Sequence, residues 1–287
     1  MLRDSSPSTL SGAAGAVLLL AELERIIRGF EKAGVEAVVI KGAALIACGL
    51  RGPLERGLTD IDILIRPGRA GAARAVLLEQ GFLPMPDSSS AFMKESGAGG
   101  EMLAPVIADL HCWLDYRSDC GPVFASSREV GAGAAVLRVP SNEEHVVLIC
   151  AHGILHHACL SRTALEDVRV LCGAEGFSWD LLASVAREAG AGPLVSAAFS
   201  EFARRGLAVP PGFSESVRPS GPLARARERL FSAGCGVEPA GVFVEYLLPQ
   251  VYSPRNVIRY WSGGGILSKP AGALRNAFHR ASGRKGI

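Results

Sequence analysis

The run Arg56-Gly-Leu-Thr-Asp60-Ile-Asp62-Ile-Leu-Ile65 constrains this chain more than any other stretch. Acids stand at 60 and 62, and isoleucines at 61, 63 and 65. Side chains alternate faces along a strand, so this pattern predicts a half-buried strand with its isoleucines in a core and both carboxylates facing a cleft. Paired carboxylates suit a hard divalent cation such as Mg²⁺, which prefers oxygen ligands and is commonly shared between one or two acids and a substrate phosphate.

Two neighbouring segments extend the pattern. Upstream, the apolar run Ala37–Ile40 predicts a central strand, followed by Lys41-Gly42 and a helix-favouring stretch from Ala43 to Cys48. A strand, a glycine turn and a helix aim unpaired N–H groups at the turn, where Lys41 adds a full positive charge and a phosphate can bind. The competing reading makes Gly42 a tight turn and nothing more. Arg56 is placed either to contact phosphate or to pair with an acid. Downstream, Pro84 to Gly100 reads as a loop holding one short strand around Phe92, as a flap or an exposed hairpin. Val106 to Trp113 predicts another strand, with Asp109 and His111 on one face as a third carboxylate and an adjacent imidazole. His111 is suited to orient a carboxylate, to touch substrate or to sit hydrogen-bonded in the core, and an orienting or structural role is favoured.

This order of Lys-Gly, Arg with Asp-x-Asp, and Asp-x-His resembles the uncharacterised nucleotidyltransferase-like proteins within the DNA polymerase beta superfamily of minimal nucleotidyltransferases. The resemblance continues through Cys150-Ala-His152-Gly-Ile-Leu-His156-His157 and Glu166-Asp167-Val168 to Trp179, over about residues 15 to 200. It implies an α+β fold, a mixed β-sheet core flanked by helices and followed by a helical unit. It also implies a nucleoside triphosphate donor at the glycine turn and two Mg²⁺ ions at the acids. Asp60 and Asp62 become metal ligands, Asp109 the third ligand or the base beside the acceptor, and Gly42 a phosphate contact. The implied activity is transfer of a nucleoside monophosphate to a small-molecule, peptide or protein acceptor. One residue departs from the pattern: better-studied branches carry Gly-Ser at the turn, where this chain has Lys41-Gly42-Ala43. Either Lys41 replaces the serine, or nucleotide binding is altered or lost. The alternative function is therefore a non-catalytic binding module, and metal-dependent phosphate hydrolysis is a third reading.

Beyond Pro140 the chain reads as helices. Ser141-Asn-Glu-Glu144 and Thr163-Ala-Leu-Glu166 both match a capping box. His152 and His156, four apart, share a helix face, but Gly153 stands where a zinc protease needs glutamate. With Asp167 they either line the cleft or buttress the helices, and the buttress is favoured. Residues 194–205 and 223–233 also have helical character. The resulting organisation is an α/β core with an N-terminal helix over 1–139, a helical domain over 140–250 and a basic tail over 251–287.

Charge supports that division, because the tail holds seven Lys or Arg and no acid, which against a net charge of +2 leaves about −5 for the body. RNA, an anionic lipid surface or an acidic partner could be drawn to such a tail, although a solvated segment is the commoner case and nucleic acid is not favoured. The apolar stretch from Leu10 to Leu23 lacks a signal peptide's flanks and continues at helical spacing through Val17, Leu20, Leu23, Ile26, Ile27 and Phe30, with Glu22, Glu24, Arg25 and Arg28 opposite. No run reaches the roughly 20 apolar residues of a membrane span. Seven cysteines without C-x-x-C pairs point to buried thiols in a reducing, cytoplasmic setting.

Overall fold

Burial of one long helix against a twisted sheet organises the first half of the chain. The structure is a computed structural model that describes residues 9–218 except 87, 97–102, 115, 118, 134 and 158–159. Helix α1 (Thr9–Lys32) buries Ala16, Leu19, Leu23, Ile26, Ile27 and Phe30 at 3.6-residue spacing. Leu23, Ile26, Ile27 and Phe30 are buried as expected, and only the earlier turns are rotated from the expected face. Val17 is 61% exposed, and Glu22, expected in solvent, is buried and accepts from Lys94 Nζ at 2.8 Å and Arg25 Nη1 at 3.3 Å.

The sheet combines strands β1 (Ala37–Ile40), β2 (Ile61–Ile65), β3 (Leu83–Pro84), β4 (Ala91–Ser96) and β5 (Leu103–His111) in the order β1-β2-β5-β4-β3. Only β2 and β5 run parallel; the other neighbours are antiparallel. A parallel pair requires a crossover, here supplied by helix α3 (Ala70–Glu79) and the β3-β4 hairpin between β2 and β5. The expected α+β layout, a mixed sheet with flanking helices, is the one found. Ile61, Ile63 and Ile65 join the core formed with α1, α3, Val39, Val106, Ala108 and Leu110. The opposite face is closed as well, with Asp62 and Leu64 buried, so β2 is covered on both sides rather than half open. The short helix α2 (Lys41–Ala47) follows β1 without a loop. A second sheet pairs β6 (Arg128–Ala132) with β7 (Ala135–Val139) after helix α4 (Gly121–Ser126). Arg138 of this hairpin pairs with Glu36, which also accepts from Arg66 Nε at 2.7 Å.

The chain divides into two units, one built from residues up to 113 and 120–141, the other from 114–119 and from 142 onward. In the second, helices α5 (Asn142–His157), α6 (Arg162–Cys172), α7 (Trp179–Glu188), α8 (Gly192–Arg204) and α9 (Phe213–Val217) surround an aromatic cluster in which Trp179 meets Phe177, Phe199 and Phe213 edge-on. The cap of α6 is Ser161, whose side chain accepts from Ala164 N at 3.0 Å, two residues before the expected Thr163. The helix expected at 223–233 and the basic tail lie outside the described residues, as do Cys159 and Cys235; Cys48, Cys112, Cys120, Cys150 and Cys172 are not in disulfides. Among the described residues no helix is long and apolar enough to cross a membrane.

A buried ionic knot holds the second unit. Glu144 accepts from Tyr116 Oη at 3.0 Å and Arg117 Nη1 at 3.1 Å, with the Glu144 and Arg117 side chains only 3% and 7% exposed. Deleting one partner strands a buried charge, a loss of about 3–5 kcal/mol. Glu144→Ala is therefore expected to lower the unfolding free energy by about 3 kcal/mol, read by urea denaturation through Trp179 fluorescence; a wild-type midpoint would contradict the knot's role.

Candidate active site

Three neighbouring strands bring four groups together: Lys41 just after β1, Asp62 on β2, and Asp109 and His111 on β5. Strand register sets Ile40 opposite Asp62 and Asp62 beside Asp109, so Lys41, immediately after β1, reaches Asp62 on β2. Lys41 Nζ lies 2.7 Å from Asp62 Oδ1, and His111 Nε2 lies 2.8 Å from the same oxygen. The second contact of His111 is Asp109 Oδ2 at 3.6 Å. Side-chain exposure is 5% for Asp62 and 16% for Lys41.

Burial alone pushes the Asp62 carboxyl upward, but the His111 hydrogen bond and the Lys41 ammonium outweigh it and hold the group at about 2, below an ordinary value of 3.8. Asp60 moves the other way: burial raises it first, then the adjacent Asp62 charge, against the hydrogen bond from Thr59 and the attraction of Lys41. Two acids two residues apart thus differ in electrostatic environment. Their backbone differs too, because β2 begins at Ile61 and Asp60 stands just before it, its Oδ1 accepting from Thr59 Oγ1 at 2.8 Å. The expected single strand carrying both acids is not formed.

The turn also departs from expectation. Lys41, not Gly42, takes the left-handed backbone, with φ of 56°, and it is the one non-glycine residue among those described to do so. Gly42 is helical, and its importance lies in close approach: a Cβ there would run into the Arg56 guanidinium and stand 2.8 Å from Leu58 Cδ2. Arg56 Nη1 donates to Gly57 O at 3.1 Å.

Asp62, Asp109 and His111 present ligand atoms within 4.8 Å of one another, and this is the group among the described residues able to hold a metal ion. A divalent cation fits the donor set, because Asp109 Oδ1 is buried without a hydrogen-bond partner and needs a positive neighbour. Asp60 stands outside this tight set. His152, His156 and Asp167 belong to the helical unit, where the two imidazoles sit 4.7 Å apart, His156 is exposed and Asp167 is buried in α6. The sequence alone points Lys41 toward a phosphate. Its pairing with Asp62 depends on the β1-β2 register, for which no local signal exists.

A family model described as an uncharacterised nucleotidyltransferase matches residues 6–205. Similar solved structures include a crystal structure of ANT(2'')-Ia in complex with adenylyl-2''-tobramycin, at 17% identity over 64% of this chain and 99% of that one with a TM-score of 0.42. A solution structure of ANT(2'')-Ia matches at 17% identity over 66% and 95%, also with a TM-score of 0.42. An antigenic nucleotidyltransferase-like protein from Paracoccidioides brasiliensis matches at 12% identity over 73% and 93%, with a TM-score of 0.44. No curated protein matches the chain.

The depressed Asp62 carboxyl favours the folded state above pH 4, where the unfolded chain is also ionised, and that contribution disappears as pH falls toward 2. It amounts to about 2 kcal/mol. In metal-free buffer the stability gap between wild type and Asp62→Asn should shrink by about that much between pH 4 and 2; a gap independent of pH in denaturation curves would contradict the Lys41 and His111 contacts.

Proposed function

We propose that this chain, which belongs to the uncharacterised nucleotidyltransferase family, transfers a nucleoside monophosphate from a nucleoside triphosphate to an acceptor hydroxyl or phosphate. The observation that carries the reading is the side-by-side placement of Asp62 and Asp109 on parallel strands, with Asp109 Oδ1 buried and bare.

Asp62 and Asp109, with Asp60 at the rim, would hold Mg²⁺, two ions in the fullest arrangement. Bound there, the metal supplies charge neutralisation at the α-phosphate and leaving pyrophosphate, the main requirement of such a transfer. The chain's own groups do the positioning. Asp109 is either the third ligand of the ion or the carboxylate that receives the acceptor's proton. His111, hydrogen-bonded to Asp62 at 2.8 Å, fixes that carboxylate's orientation. Gly42 and Arg56 form the phosphate contact: the missing Cβ leaves room for the guanidinium against the helix start. His152, His156 and Asp167 are assigned to buttressing the helical unit. The acceptor is a small molecule, a peptide or a protein, and cysteines outside disulfides suit a cytoplasmic setting.

The second reading, a binding module without catalysis, is favoured by one observation: the Lys41 ammonium already occupies Asp62. Incubation with Mg²⁺, α-labelled triphosphates and pooled metabolite or peptide acceptors separates the readings. The transferase releases pyrophosphate and labels an acceptor, and Asp62→Asn or Asp109→Asn lowers the rate at least about a hundredfold. Label released by water alone would instead assign phosphate hydrolysis, and calorimetry showing no triphosphate binding to folded wild type would favour the binding module.

Gly42→Ala tests the phosphate contact separately. Helix propensity favours alanine by about 1 kcal/mol, and the ends of the Arg56 and Leu58 side chains can shift aside, so the melting temperature should hold. Triphosphate affinity should fall about tenfold, the scale of one lost charged contact; unchanged affinity would remove Arg56 and Gly42 from the donor site.

A further inference from the structure

Lys41 combines two features seldom found together on one lysine. Its backbone is left-handed, a conformation that disfavours a residue with a Cβ, and its ammonium is directed onto a buried carboxylate at 2.7 Å. Strain of this kind persists where the surroundings over-determine it, and it concentrates at functional positions. Here the surroundings are explicit. β1 ends opposite Asp62, α2 starts with no intervening loop, and only 16% of the Lys41 side chain is exposed.

Asp62 Oδ1 meets two nitrogen donors, Lys41 Nζ and His111 Nε2. A divalent cation approaching that oxygen must displace at least one of them. A neutral imidazole can turn from donor to ligand, because an unprotonated ring nitrogen binds metals. An ammonium has three donors and no lone pair, so it can only leave.

We propose that Lys41 is a resident counter-cation of Asp62 that competes with a divalent metal for this carboxylate. The consequence rests on the nucleotidyltransferase reading: the cation binds weakly alone, and the triphosphate completes the site by giving the displaced ammonium a new anionic partner. Metal and donor then arrive as one unit, and Lys41 links the two events.

The test measures Mn²⁺ binding to the full chain without nucleotide, by loss of the free-ion paramagnetic resonance signal and by calorimetry. Lys41→Met removes the charge. Lys41→Gly removes it and also suits a φ of 56°, so it secures the comparison if the methionine variant fails to fold. Both should bind Mn²⁺ about tenfold more tightly than wild type, the scale of a competing ammonium in a partly buried site. Lys41→Arg should resemble wild type, and Asp62→Asn should lose the tight binding. Lys94→Met removes a lysine paired instead to Glu22, and should leave Mn²⁺ affinity unchanged.

Equal or weaker binding by both neutral Lys41 variants would overturn the proposal while leaving the metal centre standing, as would an equal gain from Lys94→Met. Absence of Mn²⁺ binding in every folded form, wild type included, would overturn the metal centre and the proposal together.

Discussion

The Asp62 carboxylate is the point on which the sheet's registration depends. Moving an ion of this size out of water costs several kcal/mol even after relaxation, and the cost is recovered only by well-placed partners. Those partners come from adjoining strands, Lys41 from the end of β1 and His111 from the end of β5. A one-residue slip of β1 or β5 would turn the partner to the other face and leave a buried anion alone. The packing of the isoleucines on the opposite face of β2 is non-directional; the hydrogen bonds of the carboxylate require one register. Hydrophobic burial supplies most of the folding drive here, and the polar cluster supplies its specificity.

That arrangement places the strain close to the chemistry. A left-handed lysine costs about 1–2 kcal/mol relative to the ordinary helical conformation, and a glycine at the same position would avoid it. Gly42, one residue later, occupies a conformation an alanine would also accept, so the chain has placed its two unusual residues in the order that local backbone preference would reverse. Close approach of Arg56 to Gly42 and reach of Lys41 to Asp62 account for that reversal. Both are contacts with segments far along the sequence, and both concern charge.

Legibility of the sequence follows the same division. The isoleucine alternation of β2, the Asp109–His111 face of β5 and the helices after Pro140 were readable because local periodicity specifies them. Where periodicity is ambiguous, the reading failed. Residues 16–20 are all apolar, so the sequence leaves the phase of α1 open, and the burial expected of Val17 belongs to Ala16 and Leu19. Glu22 was placed in solvent because its partner Lys94 is 72 residues away. Strand β2 was extended back to Asp60, although Gly57 and Thr59 give the preceding residues turn character and Asp60 uses its carboxylate locally on Thr59. The hairpin of β6 and β7 has no such periodic signal, its strands being only five residues each.

The imidazole sharpens what the acids can select. Oxygen-only sites match Mg²⁺, which holds its waters tightly and asks for near-ideal octahedral geometry. His111 adds a nitrogen beside Asp62 and Asp109, and softer first-row ions accept imidazole more readily than Mg²⁺ does. If His111 remains a donor to Asp62 when a cation is bound, the cation sees two carboxylates and the site stays hard. If it turns to coordinate, it gives up its hydrogen bond to Asp62, the cation's like charge expels the Lys41 ammonium as well, and the carboxylate is then neutralised by the metal alone. The first course keeps one hydrogen bond on a carboxylate that burial would otherwise raise, whereas the second exchanges both for a direct bond. Competition between Lys41 and the cation is common to both courses, so it follows from the occupancy of Asp62 Oδ1 and not from the identity of the metal.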